Sequence, residues 1–209
     1  MEKCGALDKS IFIPNGIDSV TRSDATTFLE RHGITPGNYL LAVGRLTPEK
    51  GLEYLVEAAN RLPQVQQVVI AGASDHDSAY REQLERLDTG RKVIFTGFTS
   101  GEDLRQLYSH AQCFVLPSVN EGFPMVMLEA MAYELPIVCS DIPGTRQVEL
   151  PEQDYFAMGN VDALTAALTR LLAEPTREQH YDLTHYNWDH IAALTRQQYQ
   201  LAMSSTGNQ

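Results

Sequence analysis

Five short apolar runs limit how this chain can fold: Tyr39–Val43, Gln67–Gly72, Lys92–Gly97, Cys113–Leu116 and Pro136–Ser140. The first is continuous in apolar residues, as strands are when both faces of a parallel sheet are covered. Between the runs lie polar loops and segments with helical spacing. Leu52, Leu55, Val56 and Ala59 recur at the interval of one buried helix face, and Leu104, Leu107, Tyr108 and Ala111 line a second. Strand and helix alternate at least five times with short connections. That order predicts an α/β fold, a doubly wound parallel sheet of about six strands with helices on both faces.

The rest of the chain extends this pattern. A helix is expected around Ser23–His32, a polar helix at about Ser78–Leu87 and a weak strand near Asp154–Met158. Leu164, Ala167, Leu168 and Leu171 mark another helix, and two helical segments divide near Tyr186-Asn187-Trp188. Ile11–Asp18 reads as a short strand stopped by Pro14-Asn15-Gly16. Residues 1–10 read as a polar lead-in and the last six as a disordered tail. The expectation is one domain over residues 1–209, with its core at about 11–200.

Composition narrows the function. With 43% apolar residues the 209-residue chain can bury a sizeable core. A net charge of −11 argues against nucleic-acid or anionic-membrane partners. No apolar run approaches the ~20 residues of a membrane helix, and Met1–Gly5 lacks a signal-peptide core. Three cysteines without paired spacing suit a reducing cytoplasm, with Cys113 and Cys139 as small core residues.

Chemistry-bearing residues fall in loops after two of the runs. In Gly44–Gly51 there is neither a dinucleotide fingerprint nor a P-loop. Arg45 and Lys50 instead bracket a Thr-Pro turn at a helix start. They are either solvated surface cations or an anion site helped by the helix dipole and free N–H groups. After Cys113–Leu116 come Glu121 and Glu129, eight positions apart. Helical carboxylates usually face solvent, but Glu129 stands amid Met127, Leu128, Ala130 and Met131, where an unpaired charge is costly. Vicinal hydroxyls would suit it as donors. Gly122 would let a ligand approach, and a helix beginning at Phe123 or Pro124 would offer N–H groups. Asp75-His76-Asp77 reads as a loop rather than a metal site, because three consecutive side chains cannot face one ion. His110 reads as answering a helix dipole.

Taken as a set, Val43-Gly44-Arg45-Leu46 with Glu49-Lys50-Gly51, and Pro117-Ser118 with Glu121-Gly122-Phe123-Pro124 and Leu128-Glu129-Ala130-Met131-Ala132, resemble the family 4 glycosyltransferases. Pro14–Asp18 is similar to the strand-turn opening their C-terminal domain, and the likeness runs from about Ile11 to Tyr199. The resemblance implies a GT-B fold, two Rossmann-like domains around a cleft, with this chain as the C-terminal, nucleotide-sugar-binding one. It implies transfer of a hexose-type sugar from a UDP-sugar or GDP-sugar, with retention of configuration and with no cofactor or metal. In the implied site Arg45 and Lys50 neutralise the diphosphate beside Gly44, and Glu129 holds the ribose hydroxyls. Glu121, with the backbone of Gly122, Phe123 and Pro124, holds the donor sugar, and the Gly97-Phe98 loop lies near the base.

Two stretches depart from the family pattern. Tyr133-Glu134-Leu135-Pro136 stands where members often carry glycine, and Ile142–Glu149 replaces the usual glycine pair. The resemblance further implies an absent N-terminal domain carrying the acceptor site. The chain alone would then bind donor weakly and turn over little. A C-terminal helix face with Trp188, Ile191 and Ala192 would be partly uncovered and favour self-association. The parent protein would be cytoplasmic, peripheral to the inner membrane at most. The rival readings are a non-catalytic nucleotide-sugar-binding or regulatory module, and a nucleotide-sugar epimerase of the same fold. The Glu-x7-Glu spacing favours family 4 over the second.

Overall fold

A computed structural model describes residues 11–73, 78–174 and 179–206. The chain divides into two compact units, Ser19–Tyr181 and a second formed by Met1–Asp18 with Asp182–Gln209, where the sequence suggests one domain. In chain order the elements are α1 (Thr27–Arg31), β1 (Tyr39–Val43), α2 (Leu52–Arg61), β2 (Gln67–Ala71), α3 (Ser78–Leu87), β3 (Val93–Gly97) and α4 (Gly101–His110). There follow β4 (Cys113–Leu116), α5 (Met125–Ala132), β5 (Ile137–Asp141), β6 (Tyr155–Ala157), α6 (Val161–Ala173) and α7 (Trp188–Thr206).

The larger unit is built on one six-stranded sheet in the order β3-β2-β1-β4-β5-β6, with every strand pair parallel. Central strands read as unbroken apolar runs because both faces are covered. On one face Leu40, Ala42, Val68, Ile70, Cys113 and Val115 join residues of α2 and α6 in a single cluster. The alternate residues Leu41, Val69 and Phe114 are equally buried on the other face. The expected helix stripes hold: Leu52, Leu55, Val56 and Ala59 are buried on α2, as are Leu164, Ala167, Leu168 and Leu171 on α6. On α4, Leu107 and Tyr108 are buried, whereas Leu104 and Ala111 are only half-buried.

Several expected elements differ. The helix placed around Ser23–His32 shortens to Thr27–Arg31, because hydrogen bonds tie Ser23 of the preceding segment to α4. Ser23 N–H donates to Ser109 Oγ at 2.8 Å, and the Ser23 hydroxyl donates to Glu102. Ser100 stands at the N-cap of α4 but makes no capping bond with its side chain. The α5 helix begins at Met125, since Pro124 is extended and serves as its N-cap.

In the smaller unit Ile11–Asp18 forms no strand. Pro14 removes a donor, and the unit's other described residues supply helix and turn rather than an extended partner. Instead Ile17 N–H donates to Tyr186 O at 2.7 Å. Gly16 lies under the Trp188 indole, whose atoms would stand 2.5 Å from an added Cβ. The two expected tail segments are a 3-10 turn at Thr184–Tyr186 and α7. The tail read as disordered is helical through Thr206, and residues 207–209 lie outside the described residues, as do residues 1–10 and Asp75-His76-Asp77. Among the described residues no helix is long and apolar enough to cross a membrane.

Candidate functional site

The strand order reverses beside β1: the chain steps outward to β3, then returns to place β4 on the other side of β1. Loops leaving neighbouring strands at such a point diverge to opposite faces and open a crevice at their carboxyl ends, where ligands bind in sheets of this kind. Flanking that point are the loop after β1, Gly44–Gly51, and the loop after β4, Pro117–Pro124. These are the two loops whose residues the sequence singles out.

Close backbone contacts fasten the loops. Val119 N–H donates to Glu49 O at 2.9 Å. Gly51 has φ +58°, and an added Cβ would lie 2.2 Å from Pro117 O, so two separate constraints require glycine there. Gly44 N–H donates to Ala71 O at 2.9 Å and Gly72 N–H to Gly97 O at 2.8 Å, tying the ends of β1, β2 and β3 together. Gly44 and Gly97 are thus held in one connected rim. Across the crevice Gly144 presses on the Glu121 backbone, where a Cβ would sit 2.3 Å from the carbonyl oxygen. Gln147 Nε2 donates to Gly122 O at 2.8 Å.

Within this frame Lys50 Nζ donates to Glu121 Oε1 at 2.7 Å, and Ser118 Oγ donates to the same oxygen at 2.7 Å. The lysine and glutamate side chains are only 17% and 11% exposed. The sequence reading puts these charges on opposite sides of a ligand; the structure joins them directly. Two charges this far out of water are tolerated only when paired, and each supplies the other's counter-charge. The remaining expected residues are more dispersed. Arg45 is exposed and pairs with Glu49 at 3.4 Å. Phe98 is 80% exposed. Phe123 is half-buried and Pro124 buried at the start of α5. A Cβ on exposed Gly122 would meet nothing within 4 Å, so packing does not demand the glycine.

Glu129 is half-buried on α5, and its Oε2 accepts a hydrogen bond from the Tyr108 hydroxyl of α4 at 2.7 Å. Burial raises the glutamate pKa above the usual carboxylate range, while the tyrosine bond pulls it back. The Tyr108 phenol is pushed well above its ordinary value, first by burial and then by the charge of Glu129. Sequence reasoning took Tyr108 as core alone and gave Ser118 no role of its own. Ser118 carried a local signal, three positions before Glu121. Tyr108 carried none, standing 21 positions from Glu129 on another helix.

Two flanking features complete the site. Arg146 bridges Asp141 and Glu152 and lies 3.8 Å above the Tyr155 ring, so the departing Ile142–Glu149 loop is braced by its own contacts. Glu134 adopts φ +55°, the left-handed conformation that favours glycine, and pairs with His180 at 2.8 Å. His110 stands in the last turn of α4, and its Nε2 lies 3.0 Å from Ala25 O, a tie to the segment before α1. No group of three or more potential metal ligands occurs among the described residues.

Residues 24–188 match the model of the family described as glycosyl transferases group 1. An uncharacterized glycosyltransferase of Methanocaldococcus jannaschii is 33% identical over 181 residues, covering 80% of this chain and 46% of that protein. Sucrose-phosphate synthase from Thermosynechococcus elongatus superposes with a TM-score of 0.77 at 26% identity, over 92% of this chain and 52% of its own. The Anabaena protein HepE, solved in complex with UDP-glucose, superposes with a TM-score of 0.76 at 19% identity, over 92% of this chain and 57% of its own. The chain spans about half the length of the curated relatives it matches.

Proposed function

This chain belongs to the glycosyl transferases group 1 family and has the Rossmann-like sheet of its GT-B neighbours; we propose that it is the donor-binding half of a retaining glycosyltransferase, taking a UDP- or GDP-linked hexose. The observation that carries the reading is the meeting of Lys50 and Glu121 at the topological switch point. A diphosphate entering the crevice would draw Lys50 and Arg45 toward its oxygens. Glu121, with its ammonium partner withdrawn, would accept hydrogen bonds from the sugar hydroxyls, still oriented by Ser118. Glu129 would take the ribose hydroxyls, and the rim at Gly44 and Gly97 would border the nucleoside.

The chemistry asked of these groups is electrostatic. As the glycosidic bond breaks, negative charge grows on the departing diphosphate, and fixed cations stabilise it more than they stabilise the ground state. Two cations and backbone N–H groups would supply that stabilisation with no metal ion. The acceptor would attack from the face the diphosphate leaves, so configuration is retained. A half-cleft neither excludes water nor positions an acceptor, so turnover by the chain alone would be low. Of the α7 residues expected to be uncovered, Trp188 and Ala192 are exposed while Ile191 is buried; with exposed Tyr199 and Met203 further along, that face would favour pairing of two copies, which sedimentation over a concentration series reads directly.

Calorimetry tests the site. Lys50→Ala and Glu129→Ala are each expected to weaken UDP or GDP binding about tenfold or more, the worth of one charge-assisted contact. Unchanged affinity in both variants rejects the assignment.

A further inference from the structure

Tyr108 belongs to the buried side of α4, where it is 2% exposed and stacks on Tyr133 with ring centres 5.1 Å apart. Phe114 lies against it at 6.0 Å. A phenylalanine would fill that space equally well, so packing does not explain the hydroxyl. A buried phenol needs a hydrogen-bond partner. The hydroxyl finds it at 2.7 Å in Glu129 Oε2, with only a long 3.5 Å approach to Val126 O besides. Glu129 Oε1 makes no hydrogen bond among the described residues. The glutamate side chain is thus held by one oxygen and offers the other.

We propose that Tyr108 is the positioning residue of the ribose subsite, fixing one carboxylate oxygen of Glu129 so that the other accepts the ribose hydroxyls. This rests on the assignment of Glu129 to ribose made above. A glutamate free to rotate loses side-chain freedom when it captures a ligand, and that loss is charged against affinity. Tyr108 removes the loss in advance by immobilising the carboxylate in the unliganded chain. Its hydroxyl also supplies a donor to a charge that the surroundings of α5 leave half out of water. The tyrosine touches no substrate and acts only through Glu129.

The test compares UDP with 2′-deoxy-UDP, and GDP with 2′-deoxy-GDP, by calorimetry on the intact chain, Tyr108→Phe, Glu129→Gln and the double variant. Tyr108→Phe keeps the ring stack, and its unfolding midpoint serves as the control for folding. The expected result is a loss of about threefold to tenfold for the ribonucleotide, the cost of ordering one side chain on binding. The 2′-deoxynucleotide should be nearly unaffected, so the preference for ribose shrinks. In the double variant the loss should not exceed that of Glu129→Gln alone, since one residue works through the other. Equal weakening of both nucleotides, or full retention of the ribose preference, overturns the positioning role while the site assignment stands. If the unaltered chain shows no ribose preference and Glu129→Gln binds as tightly, the ribose assignment fails, and the inference with it.

Discussion

Glu129 shows at the scale of one residue how a proposed binding group burdens the fold. Its pKa is raised by burial, so the folded chain holds the proton to a higher pH than the unfolded chain, where glutamate titrates near 4.3. Below the unfolded value both states are protonated and nothing is lost. As pH rises through the interval the unfolded state ionises first, and stability falls until the folded group has ionised too. Above the folded value the chain carries the full cost of the raised pKa, and between the two values a growing part of it. Glu129→Gln should therefore raise the midpoint of thermal unfolding at pH 7, by about 2–4 °C for each kcal/mol recovered. Near pH 3 the difference should vanish, and scanning calorimetry across pH reads both limits. The importance of Glu129 was legible from its apolar neighbours; its tyrosine partner was not, because that contact joins two helices. Lys50 was legible as a cation in a loop, yet its union with Glu121 is a matter of tertiary approach across 71 positions.

Helix ends illustrate the same division at the scale of the element. Ser100 and Asn160 both stand at N-caps of residue types that favour that position. Only Asn160 bonds, its Oδ1 accepting from Ala163 N–H at 3.0 Å. Asn160→Ala should cost about 1 kcal/mol, whereas Ser100→Ala should lie within a few tenths of the unaltered chain. Denaturant titration of the two variants checks the contrast. Apolar spacing found α2 and α6 correctly because one buried stripe defines a helix wherever it packs. The helix expected around Ser23–His32 starts only at Thr27, since Ser23 is tied to α4 by bonds donated to Ser109 and to Glu102, and no periodicity reports those. Ile11–Ile13 is apolar enough for a strand, but a strand needs a neighbour, and the local sequence says nothing of whether one is near.

For the whole molecule, the charge balance bears on ligand binding. A chain of net charge −11 that takes a nucleoside diphosphate must do so through local cations. The metal-free site proposed above predicts that excess chelator leaves UDP or GDP affinity unchanged. The nucleotide at a hundredfold excess over its Kd should still stabilise the fold by about 2.7 kcal/mol. A thermal-shift series with and without chelator measures both, and loss of the shift on chelation would return the diphosphate to a metal. The sequence by itself determined the class of fold, the two loops and the charges on them. Strand and helix periodicities are local, and the motif residues are neighbours along the chain. Only the tertiary structure decided that the sheet reverses between β1 and β4, that the reversal brings the two loops together, and that Lys50, Ser118 and Glu121 share one set of hydrogen bonds there. Strand order depends on which buried faces fit across the sheet, and no window of sequence contains both sides of that fit.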